Sequence, residues 1–167
     1  MEMMRTDLVA TGFVRNPAGD RLLMIYHKKF GQWMAPGGHV EGNELPHQTA
    51  LREVFEETGV HVAVLSAQPP LGLASNTEAE MPVPLTLLHE HIPASTKEEA
   101  HMHLDFIYLM QAESELLPPS PEGLPVAWMS LEEIWAAKTF HSIKLIAQRV
   151  LTAQPIQPAP IPDQALV

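Results

Sequence analysis

The chain has 167 residues, of which 46% are hydrophobic and 18% charged, and its formal net charge is −10. These values fit one globular domain, and the acidic balance excludes a broad basic surface for long nucleic acid. The absence of cysteine excludes disulfides, thiolate zinc sites and a cysteine nucleophile. No run approaches the roughly 18 apolar residues of a membrane span, and the N-terminus lacks a signal-peptide pattern. We therefore expect a cytoplasmic monomer or homodimer with no membrane partner.

The first half of the chain predicts short strands around one helix. Runs rich in β-branched and aromatic residues predict strands over 7–15, 21–28, 32–35 and 60–67. The Asn-Pro-Ala-Gly-Asp sequence at 16–20 is a turn signal, so the first two strands are predicted to form a hairpin. The third is predicted to stop at Pro36. A helix is predicted over 46–58, because Pro46 suits its first turn and Gly59 suits the left-handed residue just past its end.

The second half predicts further strands and a pair of helices. Segment 69–82 is predicted to be irregular, and strands are predicted over 83–92, 102–110 and 126–129. A capping box of Ser130 and Glu133 predicts a helix over 131–138, followed by a last helix over 141–153. The proline-rich tail, 154–167, is predicted to be extended. We predict one α/β domain over 1–153: an α/β/α sandwich with a mixed β-sheet, one catalytic helix and a C-terminal helix pair.

Three glutamates of the predicted helix form the most informative pattern. Glu53, Glu56 and Glu57, hereafter the stripe glutamates, stand at i, i+3 and i+4 and therefore share one helical stripe. Like charges at this spacing repel, and hard divalent cations such as Mg²⁺ or Mn²⁺ offset the repulsion. Arg52 could pair with Glu44 and brace the preceding loop. The opposite side of the helix is predicted to pack against the core, and it carries His47, Leu51, Val54, Phe55 and Thr58.

The segment from Gly38 to Val60 resembles the signature box of the Nudix hydrolases, with a MutT-like character. The matching positions are Gly38, Glu44, Arg52, Glu53, Val54, Glu56, Glu57, Gly59 and Val60. Chance agreement at a given start is on the order of 10⁻⁸ or less at ordinary residue frequencies. Two flanks are also similar to that family, the Trp-x-x-Pro-Gly-Gly lead-in at 33–38 and the strand-to-helix junction at 127–133.

The resemblance implies a function and a set of roles. The stripe glutamates and the Gly38 carbonyl would bind Mg²⁺, with Mn²⁺ as a possible substitute, and Glu44 would orient Arg52 or act through water. Glu53 or a carboxylate from another loop would be the general base. Water would then attack a phosphorus of a nucleoside diphosphate derivative, with positioning and charge neutralisation supplying most of the acceleration.

Further candidates lie outside this segment, each with a structural alternative. Glu98 or Glu99 could supply an extra metal ligand, although most Lys-Glu-Glu runs are solvated loops. His101, His103 and Asp105 alternate along a strand and could reach substrate or metal, or form a polar sheet face; of these, His103 and Asp105 are the better candidates. Other substrate-binding candidates are Trp33, which could stack on a base or belong to the core, and Lys28, which could steer phosphates or be merely exposed.

Several functions fit the pattern to different degrees. We favour a pyrophosphohydrolase of nucleoside triphosphates or oxidised nucleotides, because the chain is short and lacks accessory segments. Cleavage of ADP-ribose or nucleotide sugars is the first alternative. A non-catalytic sensor of a nucleotide metabolite would have lost stripe glutamates, and all are present. Prenyl diphosphate isomerisation is disfavoured because the isomerases of this fold use a cysteine.

Overall fold

The computed structural model describes residues 4–152, so the predicted tail lies outside the described residues. Within them the chain forms a mixed sheet and three helices. In chain order the elements are β1 (Thr6–Arg15), β2 (Arg21–His27), β3 (Gln32–Met34), β4 (Gly37–His39), α1 (Pro46–Thr58), β5 (Val62–Leu65), β6 (Thr86–Ile92), β7 (His101–Ala112), β8 (Val126–Ser130), α2 (Leu131–Ala136) and α3 (His141–Thr152). No helix within 4–152 is both long and apolar enough to cross a membrane.

The sheet is organised around β1 and β7. These strands pair in parallel over the whole of β1, from Thr6 opposite Met102 to Arg15 opposite Gln111. Neighbours follow the order β3-β2-β1-β7-β5, while β4, β6 and β8 pair with β1, β7 and β2 respectively. Those other pairs are antiparallel, including the predicted β1–β2 hairpin. The long parallel pair therefore places the polar start of β7 beside the start of β1.

Each face of the sheet carries its own hydrophobic cluster. Side chains alternate along a strand, so Ala10 and Val14 of β1 pack on the α1 face with Val54. Phe13 faces the other way, toward Ile134 of α2 and residues of α3. Helices thus cover both faces of one mixed sheet, which confirms the predicted α/β/α sandwich.

Strand β4 was not predicted, because we expected the third strand to end at Pro36 with only a loop beyond it. Instead Gly37 and Gly38 pair with Thr11 and Ala10 of β1. A Cβ on Gly37 would lie 2.6 Å from the Ala10 carbonyl oxygen and 2.8 Å from Thr11 Cα. The strand forms because glycine lets two backbones approach this closely, and glycine leaves no side-chain pattern to read.

The predicted division of α1 into a packing side and an acidic side is wrong for Phe55 and Glu57, although Val54 and Thr58 are buried as predicted. Phe55, predicted to pack, is 45% exposed, whereas Glu57 is only 8% exposed. The buried side chains of the helix are Pro46, Thr49, Ala50, Val54, Glu57 and Thr58. The helix is therefore rotated so that the stripe glutamates border its packing face, and Glu57 lies within that face. The carboxylates of Glu53 and Glu57 consequently reach the glycines of β4.

Candidate active site

Helix α1 and the loop before it hold the box residues together. Gly59 ends the helix with a left-handed backbone, φ +72°, and its amide donates to the Phe55 carbonyl at 2.7 Å. At the other end, the Gln48 side chain accepts a hydrogen bond from the Leu45 amide at 2.9 Å. Both ends are therefore fixed locally, which positions the stripe between them.

Arg52 is the centre of a hydrogen-bond network that joins the loop to the helix. Its guanidinium donates to both carboxylate oxygens of Glu44, at 2.7 and 3.1 Å. It also donates to Glu53 at 2.8 Å, to Glu56 at 2.9 Å and to the His39 carbonyl at 3.2 Å. The predicted pairing of Arg52 with Glu44 is present in this geometry, and the bidentate contact gives it a defined orientation.

The two partners of that pair influence each other's protonation. Hydrogen bonds from Arg52, and a second one from Thr49 at 2.8 Å, lower the pKa of Glu44 to about 2. The same contacts, with Glu44 first, raise the pKa of the Arg52 guanidinium. The pair is therefore fully charged at any physiological pH and leaves both oxygens of Glu44 occupied.

Glu57 and Glu53 are carboxylates held in an unfavourable environment. Burial raises the pKa of Glu57 to about 8, against a hydrogen bond of 3.0 Å from the Gly37 amide, and the charge of Glu53 adds to the rise. Burial also raises the pKa of Glu53, whose side chain is 14% exposed, although the Arg52 hydrogen bond opposes the shift. A cation next to these oxygens would relieve both costs.

Gly38 of β4 borders the site on its sheet side, next to Glu53. A Cβ at this position would overlap the Glu53 carboxylate. Position 38 must therefore lack a side chain if Glu53 is to reach β4.

The residues present fit a divalent cation. Three box carboxylates, those of Glu44, Glu53 and Glu56, contact the single guanidinium of Arg52, and the fourth, that of Glu57, accepts a hydrogen bond from the Gly37 amide. Arg52 neutralises only one of these charges, and the donor atoms are oxygens, which suit hard ions such as Mg²⁺ and Mn²⁺.

A fifth carboxylate, which the sequence analysis missed, comes from the loop before β8. The charge of Glu122 raises the pKa of both Glu53 and Glu57, after the larger effect of burial. Its loop is tied to α1, because Ser120 Oγ donates to the Glu57 carbonyl at 2.5 Å. The sequence did contain a signal for Glu122, because this residue lies shortly before the Ala127–Glu133 junction that resembles the family.

Glu98 and Glu99, the predicted extra ligands, lie in a different environment. Ser95 donates to the Glu98 carbonyl at 2.8 Å within an exposed turn. The charge of Glu98 acts on His103 of β7. The Glu99 carbonyl lies 2.9 Å from His101 Nδ1.

Asp105 and His103 lie on the α2/α3 face of the sheet. Asp105 is 6% exposed and accepts a hydrogen bond of 2.8 Å from Thr11, while its Oδ1 has no partner among residues 4–152. Burial raises the pKa of Asp105 to about 7. Burial also lowers the pKa of His103, and the nearby His39 and His101 add to that effect. Asp105 thus carries a buried carboxyl oxygen that lacks a hydrogen-bond partner among the described residues.

Trp33 and Lys28 have less distinctive surroundings. Trp33 is half-buried, packs against the α2/α3-side cluster and meets Tyr26 edge to face, with ring centroids 5.6 Å apart. Lys28 is exposed in the turn after β2. These surroundings match the structural alternatives, which were core packing for Trp33 and simple exposure for Lys28.

Comparison with known proteins places this geometry in a family. The profile of the NUDIX domain matches residues 5–149. A probable DHNTP pyrophosphohydrolase of Lactococcus lactis subsp. cremoris is 30% identical over 114 residues, which make up 68% of this chain and 59% of that protein. The chain therefore spans less than two thirds of this relative's length. A MutT-like protein of Streptomyces ambofaciens is 48% identical over 44 residues, 26% of this chain and 29% of that protein.

Solved structures agree on the fold. A NUDIX-family hydrolase from Clostridium perfringens has a TM-score of 0.69 at 25% identity, covering 87% of this chain and 95% of that one. The E. coli dihydroneopterin triphosphate pyrophosphohydrolase has a TM-score of 0.63 at 15% identity, covering 91% of this chain and 100% of that one.

Together the sandwich and its carboxylate-rich helix define a class of protein, the α/β/α folds that carry a box of clustered carboxylates on one helix. Within that class the chain belongs to the Nudix family.

The Arg52 network leads to a prediction for Arg52→Lys. We expect a loss of about 10- to 100-fold in activity or metal affinity, the usual effect of removing a group that orients metal ligands. Lysine keeps the charge but cannot contact Glu44 with two parallel donors while also reaching Glu53 and Glu56. Steady-state kinetics against divalent-ion concentration measures the effect.

The matched control is Arg21→Lys, which alters an exposed Arg–Glu pair between β2 and α2. This variant should retain wild-type kinetics. Equal kinetics for Arg52→Lys and wild type would show that the network does not position the stripe glutamates.

Proposed function

We propose that this Nudix hydrolase is a Mg²⁺-dependent pyrophosphohydrolase of nucleoside triphosphates or oxidised nucleotides. The observation that carries the proposal is the cluster of stripe glutamates, in which Glu53 and Glu56 bind Arg52 and Glu53 adjoins Gly38. Support for a triphosphate comes from the names of two similar proteins. The Lactococcus relative is a probable DHNTP pyrophosphohydrolase, and the E. coli structural neighbour is a dihydroneopterin triphosphate pyrophosphohydrolase.

The proposed roles follow from where the side chains lie. When bound, Mg²⁺ or Mn²⁺ neutralises phosphate oxygens and lowers the pKa of water. The stripe glutamates and the Gly38 carbonyl would hold the ion. Glu53 or Glu122 accepts the proton of the water that attacks phosphorus. We assign Glu122 the part expected of Glu98 or Glu99, because its charge acts on Glu53 and Glu57.

On the substrate side, Asp105 is the best supported contact. Its unpartnered Oδ1 is buried, and a pKa near 7 lets the group either donate or accept a hydrogen bond. A nucleobase offers both donors and acceptors on its edge. The carboxyl lies on the opposite sheet face from α1, so base recognition and phosphate chemistry would use different sides of β1 and β4.

Metal-dependent turnover over a substrate panel tests the proposal. The panel holds nucleoside triphosphates, an oxidised nucleotide, dihydroneopterin triphosphate, ADP-ribose and a nucleotide sugar, each with Mg²⁺ and with chelator. We expect turnover of a triphosphate that chelator abolishes, and a loss of about 10²–10³-fold in Glu56→Gln, because one charge-stabilising group of the site is removed.

The control is Glu132→Gln, an exposed glutamate on α2. If ADP-ribose or the nucleotide sugar were cleaved in preference to every triphosphate, that compound would be the substrate and the proposed one would be wrong. Nucleotide binding without turnover would make the protein a sensor, and full activity of Glu56→Gln would remove the assigned metal site.

A further inference from the structure

Three histidines and an aspartate meet on the sheet face opposite α1. They come from three strands: Asp7 from β1, His39 from β4, and His101 and His103 from β7. Each offers one ligand atom, and the four atoms lie within 4.8 Å of one another. The strand pairing brings them together, because Asp7 is directly opposite His103 in the parallel β1–β7 pair.

This cluster is separate from the box carboxylates. His101 and His103 share the alternation of Ile107 and Leu109, which belong to the α2/α3-side cluster. A Cβ on Gly38 would point at Glu53 of α1, so the side chain of His39, the next residue, leaves β4 on the opposite face. The two groups of side chains thus lie on either side of the same strand.

The distances approach those of a four-coordinate metal site. Nε2 atoms of His101 and His103 are 3.2 Å apart. The Oδ2 atom of Asp7 lies 3.7 Å from His39 Nε2 and 3.9 Å from His101 Nε2. Ligands at about 2.0–2.1 Å from a tetrahedral Zn²⁺ are separated by roughly 3.3 Å. One pair is already at this spacing, and movement of the His39 side chain, 53% exposed, and of the Asp7 side chain, 20% exposed, would bring the others to it.

The surroundings prepare the histidines as ligands. Nδ1 of His101 lies 2.9 Å from the Glu99 carbonyl. A carbonyl only accepts, so that nitrogen carries the proton and Nε2 presents its lone pair to the cluster. The ring of His101 is 3% exposed, which fixes its orientation. Nδ1 of His103 lies 3.8 Å from a carboxylate oxygen of Glu90 in β6, so the second ring also has an acceptor near the nitrogen that does not face the cluster.

Asp7 has a competing partner. The guanidinium of Arg5 contacts both of its carboxylate oxygens at 2.8 Å. The Arg5 side chain is 64% exposed, so it can move aside or share the carboxylate at little cost.

We propose that Asp7, His39, His101 and His103 bind a transition-metal ion of the zinc class, in addition to the hard divalent cation at the box. Imidazole ligands favour Zn²⁺ and its neighbours, whereas Mg²⁺ prefers carboxylate and water oxygens. The bound ion links β1, β4 and β7. It also restrains the segment that carries Gly38, because His39 is the next residue. The proposal does not depend on the substrate of the hydrolase.

Titration of the full chain with Zn²⁺ and Co²⁺ in excess Mg²⁺ tests this site. Competition with a chromophoric chelator gives the affinity for Zn²⁺, and the visible spectrum of Co²⁺ distinguishes four-coordinate nitrogen ligation from six-coordinate oxygen ligation. We expect one Zn²⁺ per chain and a four-coordinate Co²⁺ spectrum. His39→Ala and His103→Ala should each weaken binding by at least about 10- to 100-fold, as loss of even a supporting residue does.

Controls separate this site from the box and from misfolding. His89→Ala removes an exposed histidine of β6 that is not in the cluster, and it should bind like wild type. Glu56→Gln should also keep the Co²⁺ spectrum, even if hydrolysis is lost. His39→Ala removes a half-exposed side chain, so it is expected to fold, which circular dichroism checks. Six-coordinate Co²⁺ in wild type, or unchanged Zn²⁺ affinity in His39→Ala and His103→Ala, would overturn the proposal.

Discussion

Replacing Glu53 with glutamine is expected to lower kcat by about 10²–10⁴-fold, the range for removal of a general base. Glu53 contacts both the loop-to-helix network and β4. It accepts a hydrogen bond from Arg52 at 2.8 Å and occupies the space that a side chain at position 38 would fill. Glutamine keeps the size but loses the charge, and its amide group would direct donors toward a metal ion or Arg52.

The same substitution should not destabilise the metal-free protein. Burial raises the pKa of Glu53 above its unfolded value, so above that value the ionised carboxylate costs the fold stability. Removing the charge removes this cost at neutral pH. Thermal unfolding in chelator should therefore give Glu53→Gln a Tm equal to or above that of wild type, while Mg²⁺ should raise its Tm less than it raises that of wild type.

Glu41→Gln is the matched control, an exposed glutamate in the loop before α1. It should keep both wild-type activity and the wild-type response to Mg²⁺. If Glu53→Gln retained wild-type kcat, neither metal binding nor proton transfer could be assigned to this side chain.

Gly38→Ala should reduce activity at least about 100-fold with little effect on stability. The new methyl group would overlap the Glu53 carboxylate, which is the end of a flexible side chain and can rotate away. The fold then tolerates the change, but the displaced carboxylate no longer meets the metal, and a displacement of about 1 Å is enough for a 100-fold loss.

The neighbouring glycine provides the contrast. In Gly37→Ala the methyl group would meet the Ala10 carbonyl oxygen at 2.6 Å and Thr11 Cα at 2.8 Å, which are backbone atoms that cannot rotate away. We expect this variant to lose about 1–3 kcal/mol of unfolding free energy. Denaturant unfolding and kcat measured together separate the two variants. Equal losses of stability in both would show that the Gly38 methyl group disturbs the strand rather than Glu53.

The pattern of carboxylates illustrates how far sequence reasoning reaches. The spacing of the stripe glutamates, Pro46 and Gly59 are local properties of a helix, so the helix and its acidic stripe followed from the residues. Which way the helix turns toward the sheet is not local. It depends on small side chains such as Ala50 fitting against β1, and this rotation buries Glu57 and exposes Phe55.

Contacts between distant segments were likewise beyond a single sequence. The charge of Glu122 acts on Glu53 and Glu57 from a loop tied to the end of α1, and no periodicity relates positions 57 and 122. The prediction that His101, His103 and Asp105 share a face needed only strand alternation. That Asp7 and His39 join the first two required the pairing of β1 with β7 and β4.

The amino-acid order therefore determined by itself the elements with strong local signals, the helix of the box, its acidic stripe and the family. Tertiary structure alone decided the strand of paired glycines, the rotation of the helix and the side chains gathered from separate strands. The physical reason is range: periodicity and capping act within a few residues, whereas backbone approach, burial and charge proximity depend on segments brought together by folding.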